Sequence, residues 1–308
     1  MNNAYQFNVD LELLKKYSRP GPRYTSYPTA PQFSSAFGPD EFRGEIIASN
    51  TGDPGDLPSL SLYLHIPFCK SLCYFCACNT IITHSPARIE EYVGHLKSEI
   101  DLIAGLVNPN RTVVQIHWGG GTPTYLTPSQ ISELCAYISD KFSIADDAEI
   151  AMEIDPRGLT TEHLPVLRKA GFNRVSFGVQ DFDPRVQEAV NRVQPEQMSR
   201  DVVTRSRELG FESVNVDLVY GLPHQTLESY SDTLDKIIDI SPDRLAVFNW
   251  AYVPWLKKHQ RVIKQETVPE ASVRLQLLKL IIEKLTGAGY VYIGMDHFAK
   301  PEDELAMA

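Results

Sequence analysis

The sequence has 308 residues, 43% of them hydrophobic, and a formal net charge of −10. This length suits one α/β domain of barrel size, and the composition is rich enough in apolar residues for a sizeable core. The acidic balance, with no run of lysine or arginine, argues against a nucleic-acid partner.

The sequence predicts a cytoplasmic protein without a membrane span. No stretch approaches the ~18 apolar residues that a spanning helix needs. The polar start MNNAYQFNVD resembles neither a signal peptide nor a transit sequence. In the cytoplasm, clustered cysteines indicate metal binding or catalysis more often than disulfides.

Residues 1–58 are predicted to form an N-terminal extension, and residues 59–308 the main domain. The extension has one short helix that ends near Ser18 and a second from Pro39 to Ser49. Between them lies RPGPRYTSYPTAPQF, whose prolines disfavour a continuous helix or strand. Its aromatic residues favour an ordered arm that packs on another part of the protein.

From Leu60 onward the pattern alternates between strand and helix, which indicates parallel strands joined by right-handed crossovers. Six strands are clear: LSLYLHI, VVQIH, AEIAMEID, NRVSFGVQ, SVNVDLVYG and DRLAVFNW. We therefore predict an α/β fold: an open six-stranded parallel (β/α)6 partial TIM barrel with an N-terminal extension. A doubly wound sheet is the alternative. The segment YVYIGMDHF is predicted as a seventh strand or an edge segment.

Four of the five cysteines lie between Leu60 and Asn79, directly after the first predicted strand. Cys69, Cys73 and Cys76 have the spacing C-x3-C-x2-C. Three thiolates on one loop can bind three irons of a [4Fe–4S] cluster and leave the fourth iron open. A zinc site that includes Cys78 is the alternative, although four ligands within ten residues suit tetrahedral geometry poorly.

Other candidate residues lie at the predicted carboxyl ends of later strands, where α/β folds place their sites. The segment WGGGTPT ends the second strand, and its glycines allow a ligand to approach the backbone closely. A tight turn between strand and helix is the alternative. Further polar residues end later strands or lie on them: Glu153, Asp155, Gln180 and Asp217. Each of these is also compatible with a structural cap.

The segment CKSLCYFC resembles the signature of the radical S-adenosylmethionine (SAM) enzymes. In that family the open iron of the cluster binds the amino and carboxylate groups of SAM. An electron from the reduced cluster then cleaves SAM and yields a 5′-deoxyadenosyl radical. A glycine-rich segment like WGGGTPT contacts the methionyl amino group in these enzymes.

Motifs along the whole sequence resemble one branch of that family, the oxygen-independent coproporphyrinogen III oxidases. They are GPRYTSYPTA, LSLYLHIPFCKSLCYFCACN, HWGGGTPTYL, EIDPR, GFNRVSFGVQDF, NVDLVYGLP and GMDHFA. The resemblance implies two SAM molecules side by side and a cluster on Cys69, Cys73 and Cys76, with Cys78 not a ligand. It assigns Tyr63, Gly120 and Glu153 to the first SAM. The residues that it assigns to the second SAM are Phe75, Gly121, Thr122, Gln180, Arg192, Asp217 and Ala251.

The reaction implied by the resemblance is the oxidative decarboxylation of two propionates of coproporphyrinogen III to vinyl groups, giving protoporphyrinogen IX in haem biosynthesis. An electron donor protein is the expected partner, and the chain is expected to be a monomer. Arg23, on the aromatic arm, is the candidate clamp for a propionate because arginine binds carboxylates bidentately. A solvated or structural arginine is the alternative.

The resemblance also implies a mostly helical C-terminal domain that covers the barrel mouth, and we expect that this sequence stops before it. On that expectation the chain alone can be inactive. Two other functions stay open: a haem-binding chaperone of the same superfamily and an inactive structural remnant.

Overall fold

The computed structural model describes residues 9–19, 28–53 and 56–308. Arg23 and most of the predicted aromatic arm lie outside these residues. The described strands are β1 (Leu60–Ile66), β2 (Phe68–Cys69), β3 (Ile81–Ile82), β4 (Thr112–Gly120), β5 (Ser143–Ile154), β6 (Arg174–Gln180), β7 (Ser213–Tyr220), β8 (Arg244–Asn249), β9 (Val291–Gly294) and β10 (His297–Ala299). The described helices are α1 (Leu11–Tyr17), α2 (Pro39–Ala48), α3 (Pro86–Ala104), α4 (Pro128–Lys141), α5 (His163–Lys169), α6 (Pro184–Ala189), α7 (Glu196–Glu208), α8 (Leu227–Ile240), α9 (Ala271–Gly287) and α10 (Glu304–Met307).

One large sheet has the strand order β1-β4-β5-β6-β7-β8-β10-β9. From β1 to β8 every neighbouring pair is parallel. Each new strand is therefore added on the same side of the last, without the reversal of strand order that defines a doubly wound sheet. With right-handed crossovers, this order places the connecting helices on one face and leaves the other face for ligands.

The sheet has eight strands instead of the predicted six: the six predicted strands are its parallel strands, and two more lie in the region of YVYIGMDHF, which was predicted as a seventh strand or an edge segment. The two additional strands, β10 and β9, pair antiparallel at the β8 edge. They are joined by a two-residue turn in which Met295 and Asp296 both have positive φ, 46° and 74°. Hairpin turns of this kind usually contain Asn-Gly or Asp-Gly, and Met-Asp lacks that signal. Asp296 and His297, which belong to the segment YVYIGMDHF, lie in this hairpin.

The two faces of β1 follow the alternation of its sequence. Leu64 and Ile66 are buried against the helical layer, whereas Ser61 and Tyr63 are exposed on the opposite face. Tyr63 lies beside His117 of β4 in the sheet register. The face that points away from the helices is therefore lined by polar side chains, and it leads to the carboxyl ends of the parallel strands.

Helix signals in the sequence correspond to observed caps. Thr127 and Gln130 form a reciprocal capping box at the start of α4, with the Gln130 amide donating to Thr127 Oγ1 at 3.2 Å. Ser85 caps α3, and Pro86 occupies its first position. No helix within the described ranges is both long enough and apolar enough to cross a membrane.

Candidate functional site

One cavity lies between the cysteine loop and the carboxyl ends of β4 to β7. Residues 69–78 contribute one side, and the strand ends contribute the other. The predicted site residues that line this cavity are Cys69, Cys73, Phe75, Cys76, Gly120, Gly121, Thr122, Glu153, Gln180, Arg192 and Asp217. Residues far apart in the sequence are thus brought together at the edge where parallel strands end.

The cysteine loop is held in place by a segment that follows β8. The Phe75 carbonyl accepts from Trp250 Nε1 at 3.1 Å and from Gln260 Nε2 at 3.0 Å. His259 Nε2 donates to the Cys76 carbonyl at 2.7 Å, and Lys257 Nζ to the Cys78 carbonyl at 3.3 Å. Ala251 is the one predicted site residue of this segment; its contacts to the loop were not predicted, because they join residues about 180 positions apart.

The four thiols of the loop have different environments. Burial raises the pKa of Cys69, although its Sγ lies 3.4 Å from Thr122 Oγ1. A hydrogen bond from Cys78 lowers the pKa of Cys76 to about 6, and His259 and Lys257 act in the same direction. The pKa of Cys78 is raised by the same hydrogen bond. Cys76 is therefore the thiolate of this pair, and Cys78 retains the proton.

Gly120 and Gly121 let the end of β4 approach the start of the cysteine loop. Gly120 has φ 124°, and a Cβ on it would lie 2.8 Å from the Ile66 carbonyl oxygen. A Cβ on Gly121 would lie 2.5 Å from the Pro67 carbonyl oxygen. Both distances are shorter than any side chain tolerates. The tight packing of strand against loop thus requires these glycines, whether or not a ligand approaches them.

Glu153 lies at the centre of a polar row on the open face of the sheet. Its Oε2 accepts from the Gly120 amide at 3.2 Å, and its Oε1 lies 3.2 Å from His117 Nε2. The His117 ring stacks on Tyr63, with ring centroids 5.9 Å apart and planes 10° apart. The Tyr63 hydroxyl lies 3.1 Å from His65 Nδ1. Tyr63 is thus connected to the cavity through His117 and Glu153.

The tautomer of His65 follows from its two contacts. Its Nε2 lies 2.9 Å from the carbonyl oxygen of Asn79, which can only accept, so Nε2 carries the proton. Nδ1 then accepts from the Tyr63 hydroxyl. Partial burial and the charge of Glu153 raise the pKa of Tyr63, so the hydroxyl stays protonated.

Asp155 links two arginines to the cysteine loop. Its Oδ2 accepts from Arg157 Nη2 at 2.6 Å and from Arg192 Nη1 at 3.0 Å. Burial alone would raise the pKa of Asp155, but the charges of Arg192 and Arg157 hold it below its usual value. Both guanidinium groups also reach Cys73 Sγ, at 3.4 Å from Arg157 and 3.7 Å from Arg192.

Asp217 is a carboxyl group of the cavity whose burial makes it harder to ionise. Burial and the charge of Glu153 raise the pKa of Asp217 to about 6. Asn215 Nδ2 donates to Asp217 Oδ1 at 2.7 Å, and the Ser176 hydroxyl donates to Oδ2 at 3.2 Å. Glu153 and Asp217 face the same cavity, so a bound cation would relieve their repulsion.

Gln180 ends β6 with φ 73°, a conformation that costs a non-glycine residue free energy. A Cβ on Gly178 would meet Gln180 Nε2 at 2.7 Å and Arg192 Nη2 at 2.9 Å. The backbone at this strand end is therefore shaped to place the amide of Gln180 and the guanidinium of Arg192 side by side.

The Radical SAM superfamily model matches residues 63–237. The chain belongs to this superfamily. It is 50% identical over 297 residues to the oxygen-independent coproporphyrinogen III oxidase of Synechocystis sp., covering 96% of this chain and 63% of the relative. The Escherichia coli protein of the same name is 48% identical over 306 residues, covering 99% of this chain and 65% of that protein. The chain thus spans slightly less than two thirds of the length of these relatives.

A solved structure gives the same result for the fold. The structure of Escherichia coli coproporphyrinogen III oxidase, described as a radical SAM enzyme, matches with a TM-score of 0.90 at 46% identity. The match covers 98% of this chain and 67% of that one. The α/β fold with a parallel-rich sheet is therefore that of a radical SAM partial barrel.

Membership of the superfamily implies a [4Fe–4S] cluster and SAM, and the donor set fits both. Within residues 9–19, 28–53 and 56–308, no three His, Cys, Asp or Glu side chains converge to hold a single metal ion. A cluster requires a different arrangement, because each thiolate binds its own iron. Cys69, Cys73 and Cys76 present three soft sulfur ligands to one cavity, beside the carboxylates suited to the SAM cation.

Three predicted site residues lie outside this cavity or outside the described part of the chain. Tyr63 is 59% exposed and reaches the cavity only through its neighbours. Ala251 is exposed on the segment after β8, where its carbonyl accepts from Gln260. Arg23 lies outside the described residues. The roles of all three stay predictions.

Proposed function

We propose that this chain carries the catalytic core of an oxygen-independent coproporphyrinogen III oxidase. The reaction converts two propionate side chains of coproporphyrinogen III to vinyl groups and yields protoporphyrinogen IX. One observation carries the proposal: the solved oxidase structure matches 98% of this chain at 46% identity. Each of the two propionates loses a β-hydrogen atom, CO2 and one electron when it is converted to a vinyl group.

Three cysteines of the loop would hold the cluster: Cys69, Cys73 and Cys76. The bound cluster and SAM supply the carbon radical that removes the β-hydrogen. The protein supplies geometry and charge. Glu153, anchored by Gly120 and His117, offers a carboxylate to the amino group of a first SAM.

A second SAM would lie on the other side of the same cavity. Phe75 offers an aromatic surface there, and the neighbouring amide of Gln180 and guanidinium of Arg192 offer donors. Asp217, which is held by Asn215 and Ser176, offers acceptors to hydroxyl groups. The remaining contacts of this proposal, taken from the family resemblance, are Gly121, Thr122 and Ala251.

The substrate is a tetracarboxylate, so an acidic protein needs local cations to bind it. Lys257 lines a second cavity beside Cys78 and Asn79. Its ammonium group lies next to the cysteine loop, and we propose that it receives a propionate near the site of hydrogen abstraction. Arg23 stays the predicted clamp on the arm.

The division into an arm of residues 1–58 and a barrel of residues 59–308 belongs to the same proposal. So do a cytoplasmic location, a monomeric state and an electron donor protein as partner. In the described part of the chain, Val9 is tied to α9 by bonds to Glu283 and Lys279, which supports an arm that packs on the barrel.

Anaerobic incubation of the reconstituted chain with SAM, a reductant and coproporphyrinogen III tests the proposal. Both 5′-deoxyadenosine and CO2 are followed. Formation of both supports the oxidase. Stable binding and transfer of haem, with no loss of propionate, would instead indicate a haem chaperone. A chain that binds no cluster would be an inactive remnant.

A further inference from the structure

Cys73 is singled out among the three predicted cluster cysteines, because two arginines donate to its sulfur. Arg157 Nη2 lies 3.4 Å from Cys73 Sγ, and Arg192 Nη1 lies 3.7 Å from it. Both distances fall within the longer range of hydrogen bonds to sulfur. Cys69 Sγ instead lies 3.4 Å from a neutral hydroxyl group, that of Thr122.

The two arginines are fixed by one carboxylate. Asp155 Oδ1 accepts from the amide and the Nε of Arg157, at 3.1 and 3.0 Å, while Oδ2 accepts from both guanidinium groups. Arg192 Nη2 also donates to the Gly178 carbonyl at 2.5 Å. Two cations share a single anion, so the group formed by Asp155, Arg157 and Arg192 carries one positive charge in excess beside Cys73.

Local sequence explains how Arg157 reaches this position. Asp155 follows β5 directly and caps the short 3-10 turn of Pro156–Gly158. Pro156 fixes the first position of that turn, and the side chain of Arg157 then folds back over Asp155 toward the loop. Its guanidinium is largely buried, with 20% of the side chain exposed.

We propose that Arg157 is a positioning residue that orients the Cys73 thiolate and raises the reduction potential of the cluster. This inference rests on the cluster of the proposed function. Hydrogen bonds to the sulfur ligands and nearby charge set the potential of an iron–sulfur cluster. Reduction adds negative charge, so a donor and a net positive charge at Cys73 favour the reduced form.

The chain contains a matched control for this residue. Asp183-Pro184-Arg185 repeats the tripeptide Asp155-Pro156-Arg157, and Asp183 likewise accepts from the amide, Nε and Nη2 of its arginine. Arg185, however, is 69% exposed at the start of α6, and it does not line the cavity of the cysteine loop. The same local ion pair therefore exists with and without a cysteine.

The test compares the 308-residue chain with its variants Arg157→Leu, Arg157→Lys and Arg185→Leu after anaerobic reconstitution. Iron content is measured, and the potential is obtained from a redox titration followed by electron paramagnetic resonance. We expect Arg157→Leu to have a more negative potential than the parent. Arg157→Lys, which retains the charge without the planar fork, should fall between them. Arg185→Leu should match the parent.

A folded Arg157→Leu variant that carries a cluster at the parent potential overturns the proposal, as does an equal shift in Arg185→Leu. If Arg157→Leu binds too little iron to titrate, Arg157→Lys takes its place. The proposal is then overturned by a parent potential in Arg157→Lys or by an equal shift in Arg185→Leu. The potential is measured without coproporphyrinogen III. A failure of this inference is therefore distinct from a failure of the proposed oxidase reaction, which is measured by CO2.

Discussion

Gly121 and Pro67 fix the distance between the end of β4 and the cysteine loop. The Gly121 amide donates to the Ile66 carbonyl at 2.9 Å, and a Cβ on Gly121 would lie 2.5 Å from the Pro67 carbonyl oxygen. The obstructing atoms belong to the backbone, so no rotation of a side chain relieves the clash. The loop that presents the cysteines thus depends on Gly121, a residue without a side chain that lies about 50 positions later in the chain.

We therefore expect Gly121→Ala to displace the cysteine loop. It should cost about 1–3 kcal/mol of stability, as overpacking of a tight contact does, and it should lower the iron bound on reconstitution. Gly94→Ala is the control, because a Cβ on Gly94 of α3 meets nothing within 4 Å. The control should be more stable by up to ~1 kcal/mol. A Gly121→Ala protein with parent stability and iron content would refute this explanation.

The four loop cysteines divide into three proposed ligands and one other thiol. Cys73→Ala should lose the cluster, whereas Cys78→Ala should retain the iron and sulfide content of the parent. Cys135→Ala is the control, since burial raises the pKa of that thiol to about 12 and keeps it neutral on α4. Iron analysis and the visible spectrum after anaerobic reconstitution measure the outcome. If Cys78→Ala loses the cluster while Cys135→Ala retains it, Cys78 is a ligand and the prediction is wrong.

Glu153→Gln tests the proposed contact to the first SAM. Glutamine keeps an acceptor for the Gly120 amide but removes the charge that would pair with an ammonium group. Charge-assisted hydrogen bonds contribute ~1.5–3 kcal/mol, so the affinity for SAM should fall by about tenfold or more. Equilibrium dialysis of the reconstituted protein measures it. Unchanged affinity, with the cluster intact, would remove Glu153 from the SAM site.

Asp217 makes the stability of the protein depend on pH. Its pKa is raised to about 6, above the ~3.9 of an unfolded aspartate. The folded protein thus holds this proton more tightly, and its stability falls as the pH rises through about 6. Asp217→Asn does not titrate and does not lose stability in this way. The free energy of unfolding of the variant minus that of the parent should therefore rise by on the order of 1 kcal/mol between pH 5 and pH 8.

Denaturation of the cluster-free protein by urea at both pH values measures this difference. Asp183→Asn is the control. The Arg185 hydrogen bond lowers the pKa of Asp183, so this group is ionised in both states across the whole window. Its effect on stability should therefore be the same at pH 5 and pH 8. If the difference in stability between Asp217→Asn and the parent is also the same at pH 5 and pH 8, Asp217 does not titrate in this range.

Local sequence predicts the parts of the site that are contiguous in the chain. The alternation in β1, the cysteine spacing and the glycines after β4 each lie within about ten residues, and the parallel order of strands then brings the strand ends together. The hydrogen bonds that Trp250 and His259 donate to the cysteine loop were not predictable, because these side chains belong to no motif and their acceptors are distant backbone carbonyls.

Two arginines show what the local sequence does not predict. Arg157 and Arg185 have the same local sequence and the same bonds to their own aspartates, yet only tertiary packing brings Arg157 to Cys73. The segment YVYIGMDHF was predicted as a strand or an edge segment, but its fold into the β9–β10 hairpin was not, because the turn uses Met295 and Asp296 at positive φ instead of the usual residues.

The most direct test of the central claim is the anaerobic reaction of the reconstituted chain with SAM, a reductant and coproporphyrinogen III. The proposed oxidase predicts that 5′-deoxyadenosine and CO2 form together and that Cys73→Ala forms neither. A chain that carries an intact cluster and produces 5′-deoxyadenosine but releases no CO2 would contradict the claim that this chain decarboxylates coproporphyrinogen III.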